Sequence, residues 1–346
     1  MAVEAPEATI TPLPLMQIAT AHWAFKTLAA AHGLDLFTSL SGTAGMTVEE
    51  LAARAAIDER PAEILLTACS ALGLLEKEDG RYRNSALSEE FLVQGKRYYF
   101  GGFVQMQERV IYRAYGRLSE AIRRNRPTAY DPEKANSLFE GQDPAILENF
   151  WEGMHSLSTL TARALAEAFD FGGFSRLLDV GGGSAAFDIE LCRRYPHLRA
   201  TVYDLPFVTE IAARKIEEAG LAERIATVSG DFFVDEALPA GHDLLLLSLI
   251  LHGENETRDR EIVRKCFAAL PSGGALLVSE LLVDEEKTGP PPAALMSVTM
   301  LVATDGGRNY TATEYGGWLG DAGFDRIEVI PFEGLGANGV VVGHKT

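Results

Sequence analysis

The stretch "LLDVGGGSAAFDIEL", Leu177–Leu191, runs an apolar strand into an aspartate, three glycines and the start of a helical pattern. Gly181, Gly182 and Gly183 let the backbone approach a ligand closely at a strand end, where open α/β sheets bind. A dinucleotide fingerprint, G-x-G-x-x-G, counted from Gly181 has Ala186 in its sixth place. Some dinucleotide folds tolerate that substitution, so the glycines alone leave a nicotinamide cofactor open. Asp179 discriminates, because a carboxylate at the mouth of the turn is poorly placed for phosphate and well placed for a cationic amino group.

Outward from this turn, from Arg176 onward, the apolar runs "RLLDV", "RATVYD", "RIATVSGD", "DLLLLSLIL", "ALLVSELL", "RIEVIPF" and "GVVVGHK" alternate with helical patterns. Near-continuously apolar strands separated by helices predict a mostly parallel sheet covered on both faces, a Rossmann-like α/β domain. Asp204 closes the second strand, beside Leu205, where an acid accepts from both hydroxyls of a ribose. Asp231 follows the third strand in "GDFF", placed to accept from an adenine amino group while Phe232 stacks on the ring. Ser248, at the end of the fourth strand, completes the candidate contacts. One acid on each of three neighbouring strand tips points to a bound nucleoside.

The 31 Lys and Arg against 49 Asp and Glu give a net charge of −18, a field that repels nucleic-acid backbones and anionic membrane surfaces. Cys69, Cys192 and Cys266 are odd in number and in no CxxC spacing, which fits reduced thiols in a cytoplasmic protein. No secretory signal and no membrane-length apolar run is visible. From Leu13 to His32 apolar residues at helical spacing form a face that a second copy would cover. In the following stretch, Thr47 and Glu50 form a capping box, Pro61 sits near the start of a second helix, and Asp79–Gly80 mark a hairpin. Helix, helix, hairpin is a winged-helix pattern, yet Glu59 and Glu63 against Arg60 make its second helix a poor groove reader. A ligand-sensing regulator is the alternative from outside enzymology. Residues 98–170 read as wholly helical around a loop from Asn125 to Asp143 that contains Pro127, Pro132 and Gly141.

The motifs "LLDVGGG", "YDLP", "GDFF", "LILH", "LPSGGALLVSELL" and "YTATEYGGWLGDAGF" together resemble the class I S-adenosylmethionine-dependent O-methyltransferases. The likeness is to the homodimeric small-molecule type of plant phenolic and bacterial secondary metabolism, antibiotic biosynthesis included. It implies a winged-helix dimerisation domain over 1–97, a helical linker over 98–170 contributing to the substrate pocket, and a seven-stranded catalytic domain over 171–346. S-adenosylmethionine is the implied methyl donor, S-adenosylhomocysteine its product. No metal is expected, since no His/Asp/Glu cluster has ligand spacing. The D-x-G-x-G-x-G of the family has Ala185 at its last glycine, and a methyl group there calls for ordinary backbone angles and a slightly different turn.

His252 follows "LLLLSLIL", which places an imidazole at the carboxyl edge of the sheet, the right place for a base. The resemblance makes His252 the general base, oriented by Glu280 and flanked by a second acid where this chain has Asn309. An amide cannot stabilise imidazolium by charge, which keeps C- or N-methylation open as an alternative. The aromatic-acid pair that often follows the histidine is here Gly253–Glu254. For an aromatic acceptor the candidates are Met296 and Met300, on one helical face, with Phe103, Met106, Trp151, Met154 and His155, whose bland alternative is core packing. Arg123, Arg124 and Arg126 read as a solvated helix end.

Overall fold

Asp79 and Gly80 both take positive φ, 48° and 77°, and their two-residue turn joins β1 (Leu75–Glu78) to β2 (Arg81–Asn84) as an antiparallel hairpin. The hairpin belongs to the first of two units, Met1–Val104 and Gln105–Thr346; the computed structural model describes residues 10–135 and 144–346. Upstream, the predicted capping box forms: Glu50 N donates to Thr47 Oγ1 at 3.3 Å and Thr47 N donates to Glu50 Oε2 at 3.0 Å, opening the helix Val48–Ala55. Pro61 lies in the first turn of the helix Glu59–Ala71. Phe37, Leu51, Leu66, Cys69, Leu75 and Tyr82 close one core beneath these elements. In the helix Leu13–Gly33 only Ala31 and His32 are buried, and Leu13, Leu15, Met16, Ile18 and Trp23 are more than half exposed.

The second unit is built on seven strands: β3 (Arg176–Val180), β4 (Arg199–Asp204), β5 (Ile225–Ser229), β6 (Leu244–Ser248), β7 (Ala275–Glu280), β8 (Arg326–Pro331) and β9 (Gly339–His344). Each falls inside one of the apolar runs read from sequence. Their order is β5-β4-β3-β6-β7-β9-β8, with β9 antiparallel to both its neighbours and the other pairs parallel. The order reverses beside β3, the switch point at which such sheets open a crevice.

Alternate side chains feed two cores. Leu177, Val202, Leu244, Leu246 and Leu277 pack on one face against Leu165, Leu191 and Ile216 from covering helices. Leu178, Val180, Leu245, Leu247 and Val278 pack on the other against Ile262, Cys266, Trp318 and Leu319. Burial on both faces is what demands unbroken apolar strands. The three cysteines are buried and unpaired, and burial lifts the thiols of Cys69 and Cys192 to about 11 and about 12.

The stretch expected to be wholly helical is interrupted. Gly101–Met106 leads into a five-residue π turn, Gln107–Ile111, then Tyr112–Tyr115 and Leu118–Arg124. Asn125 ends the last helix in the left-handed conformation, φ 48°, starting the expected loop; its part from 136 to 143, with Gly141, lies outside the described residues. The long helix Pro144–Ala168 follows. Of the arginine cluster, Arg124 pairs with Glu120 at 3.0 Å and Arg126 with Glu133 at 3.7 Å, all with partly exposed side chains. Among the described residues no helix is long and apolar enough to cross a membrane.

Candidate active site

At the end of β3 the chain reverses through Gly181, φ +75°, whose N–H donates to Tyr203 O on β4 at 2.8 Å. A Cβ at Gly181 would stand 2.4 Å from Ile250 Cδ1. Gly183 N and Leu205 N donate to the two oxygens of Asp204 at 2.9 and 2.7 Å, lacing the tips of β3 and β4 together. The expectation for Ala185 is corrected: it takes φ 63° and ψ 23°, the left-handed region that favours glycine. That conformation costs a non-glycine residue about 1–2 kcal/mol. The methyl is fully buried in the core, recovering ~0.8 kcal/mol. The strand-turn-helix closure, not the residue's own preference, sets the angle.

Asp179 lies beneath the turn, 2 % exposed, with its Oδ2 unpartnered. Against it sits Asp188, from the first turn of the helix Ala186–Arg194, 0 % exposed and with neither oxygen partnered. Burial, reinforced by Asp188 and Asp204, pushes the Asp179 carboxyl well above the ordinary range, and burial raises Asp188 to about 7. Burial also lifts Asp204, to about 6, against the pull of its two N–H donors. Sequence reading missed Asp188, and the signal was present in an acid set among apolar residues in "AAFDIEL".

The "GDFF" loop is held from two sides. Lys265 Nζ donates to Phe232 O and Asp235 O at 2.8 and 2.9 Å, and Tyr203 OH donates to Asp235 Oδ2 at 2.6 Å. Phe232 Cε1 reaches 3.6 Å from where a Cβ of Gly181 would stand, so its ring edges the turn. Asp231 Oδ1 accepts from Phe233 N at 2.8 Å. Ser248, half-buried at the end of β6, has its Oγ unpartnered.

After β6, Leu249 takes φ 57° and the short turn Leu251–Gly253 presents His252. Glu280 ends β7 fully buried. Its Oε1 accepts from Ile250 N and Leu251 N at 3.0 and 3.1 Å, and its Oε2 bonds His252 Nδ1 at 2.7 Å. A carboxylate only accepts, so in the neutral imidazole Nδ1 carries the proton and Nε2 the lone pair.

Asn309 is buried but bonds elsewhere: its Nδ2 donates to Leu281 O at 2.7 Å and its N–H to Ser297 Oγ at 3.0 Å, leaving Oδ1 buried and unpartnered. It ties the end of β7 to the helix Pro291–Ala303. Gly307, two residues before it, lies where a Cβ would come 2.4 Å from His252 O and 2.8 Å from Gly253 C. Gly307→Ala is therefore expected to push the His252 turn aside, costing about 1–3 kcal/mol of stability. Any proton transfer through the His252 ring should slow at least ~10-fold, because a displaced catalytic group loses rate steeply. Thermal melts and steady-state assays of the variant check this.

Behind Glu280, Asp259 is fully buried with both oxygens unpartnered. Burial first, then the charges of Glu280, Glu254 and Glu256, raise it to about 9. The folded chain thus keeps a proton that the unfolded chain loses near pH 4, and stability drains away as pH climbs from there to about 9. Asp259→Asn removes that loss. Its melting temperature should exceed that of the parent chain by a margin that widens by about 2 °C or more between pH 6 and pH 9.

Of the acceptor candidates, Trp151 and His155 lie against the glycine turn. Trp151 Cζ3 is 3.0 Å from the Cβ position of Gly183, and His155 Nδ1 bonds Ser184 Oγ at 2.8 Å. Burial, then Lys215, lowers His155 to about 4, so it is a neutral anchor for the helix Pro144–Ala168. Met154 on that helix is half-buried. Met300 is buried and Met296 half-buried on the helix Pro291–Ala303, which packs against the His252 turn. Met106 is buried in the second unit, and Phe103 belongs to the first, its ring stacked on Phe100 at 4.8 Å. Among the described residues no group of three or more His, Cys, Asp and Glu side chains is arranged to hold a metal ion.

A model of the O-methyltransferase domain matches residues 115–325, and one of the O-methyltransferase dimerisation domain matches residues 16–94. The chain belongs to the S-adenosylmethionine-dependent O-methyltransferases. It is 50% identical, over 98% of its length and 97% of the relative's, to a 3-hydroxy-5-methyl-1-naphthoate 3-O-methyltransferase of Streptomyces sahachiroi. An L-tyrosine C(3)-methyltransferase of Streptomyces lavendulae is 31% identical over 93% of this chain and 90% of that one. Human N-acetylserotonin methyltransferase, solved in complex with S-adenosylmethionine, superposes with a TM-score of 0.87 at 27% identity, covering 99% of this chain and 100% of that one. The crevice of this methyltransferase fits such a donor: Asp179, buried with its Oδ2 unpartnered, is an acceptor that an α-amino group would satisfy.

Proposed function

We propose that this methyltransferase methylates a hydroxyl group of an aromatic small molecule, with His252 as general base. The observation that carries the reading is the buried Glu280–His252 bond of 2.7 Å, which leaves Nε2 as the proton acceptor. A phenol has a pKa of about 10 and is protonated at neutral pH, so its proton must be taken as the oxygen attacks. Glu280 holds the ring orientation and stabilises imidazolium by charge. S-adenosylmethionine, when bound, supplies a methyl group on a sulfonium. Asp179 would hold its amino end, Asp204 with Leu205 the ribose, and Asp231 with Phe232 the adenine, while Gly181, Gly183 and Ser248 shape the crevice around it.

Met154, Met296 and Met300 would form the apolar walls against a flat ring, with Met106 as a further contact, while Trp151 and His155 border both ligands. The naphthoate named for the relative at 50% identity makes a hydroxylated naphthoate in bacterial secondary metabolism the favoured acceptor class. Incubating a panel of hydroxynaphthoates and simple phenols with the donor, and weighing the products, tests this. Gain of one methyl group by a panel member supports it, and none on a preparation that binds S-adenosylhomocysteine overturns it.

The working form is a homodimer through the first unit, whose helix Leu13–Gly33 leaves Ile18 and Trp23 75% and 62% exposed in the isolated chain. Ile18→Glu with Trp23→Glu should convert a dimer into monomers in sedimentation equilibrium. The unpaired, buried cysteines fit work in a reducing cytoplasm.

A further inference from the structure

The methyl-donor reading uses Asp179, Asp204 and Asp231 and leaves Asp188 without a role. Asp188 is 0 % exposed, and neither of its oxygens meets a donor. Its carboxyl faces that of Asp179, which comes from the end of β3, is 2 % exposed and has an orphaned Oδ2. Around this pair, Asp204 acts on Asp179 from β4, and Cys192 faces Asp188 from its own helix. Neutral His155 stands across the hydroxyl of Ser184. Arg224, beyond Cys192, points Nη1 at the carbonyls of Cys192, Tyr195 and Pro196. Two carboxyls pressed together away from water do not both ionise. They keep at least one proton between them.

We propose that Asp188 belongs to the cofactor site, as the second half of a carboxyl pair that exchanges a proton for the α-ammonium group of the ligand. The inference rests on the reading that this crevice holds S-adenosylmethionine. In the exchange one carboxyl O–H bond breaks and the proton leaves to solvent. The ammonium keeps its three N–H bonds and donates to the carboxylate thus freed, so one positive charge enters as one departs. Cofactor binding then tightens as pH rises through neutrality, by about three- to tenfold per pH unit, and levels off once the free pair has lost that proton.

Calorimetry at pH 7 in two buffers of different ionisation enthalpy counts the protons released. S-adenosylhomocysteine carries the amine and 5′-methylthioadenosine lacks it. Both present a ribose to Asp204, so the difference between them isolates the amine end. The expected difference is about one half to one proton per ligand in the parent chain, and close to zero in Asp188→Asn. Equal release with the two ligands in the parent chain, a comparison that needs no variant, overturns the exchange. An undiminished difference in Asp188→Asn overturns the part given to that residue. No heat with S-adenosylhomocysteine at all would instead bring down the cofactor reading beneath it.

Discussion

Replacing His252 with alanine is expected to slow methyl transfer by about 10²- to 10⁴-fold, while S-adenosylhomocysteine binds as it does to the parent chain. The size follows from what is removed: the imidazole proposed to take the phenol proton. The specificity follows from where it sits. His252 stands on the turn after β6, bonded through Nδ1 to Glu280, whereas the acids assigned to the donor stand at the tips of β3, β4 and β5. Raising the pH toward the phenol pKa should restore part of the lost rate, because the acceptor then arrives already ionised. A loss of affinity equal to the loss of rate would give His252 a binding role instead.

Glu280→Gln is expected to cost nearly as much, although it changes one atom. Oε1 accepts from two backbone N–H groups and Oε2 from His252 Nδ1, so the position needs an acceptor on both sides. Glutamine offers one. With its oxygen toward Ile250 and Leu251, its NH₂ faces Nδ1 and enforces the opposite tautomer, with the proton on Nε2. The imidazole then cannot act as base, and kcat should fall about 10²-fold or more with the fold retained. The proton-detected signal of the His252 ring should move from Nδ1 to Nε2 in nitrogen-15 spectra. Glu280→Ala should instead lower stability as well, since a buried and a part-buried N–H group lose their partner.

The sheet was legible because a parallel strand buried on both faces must be apolar throughout, and "LLLLS" or "LLDV" admits no other reading once helices flank it. The hairpin and the capping box were legible because Asp79–Gly80 and Thr47–Glu50 act through local backbone geometry. The angle at Ala185 was not, since closure of the turn between β3 and its helix overrides what an alanine prefers alone. Nor was Asp188, because an acid in a first helical turn ordinarily answers the helix dipole in solvent, and only the assembled sheet shows that it is buried against Asp179. Periodicity put Trp151 and His155 on one helix without naming the surface they meet, which is the glycine turn. Asn309 was placed near the base by resemblance, while its hydrogen bonds go to Leu281 and Ser297.

Carbon-13 spectroscopy of the product made with methyl-labelled donor and an accepted hydroxynaphthoate decides where the methyl group lands. Attack by an oxygen whose proton passes to His252 places the label in a methoxy group, and the same reaction with the His252→Ala chain yields little of it. A label on a ring carbon or a nitrogen, or full methoxy formation without the imidazole, would contradict the chemistry argued from the Glu280–His252 bond.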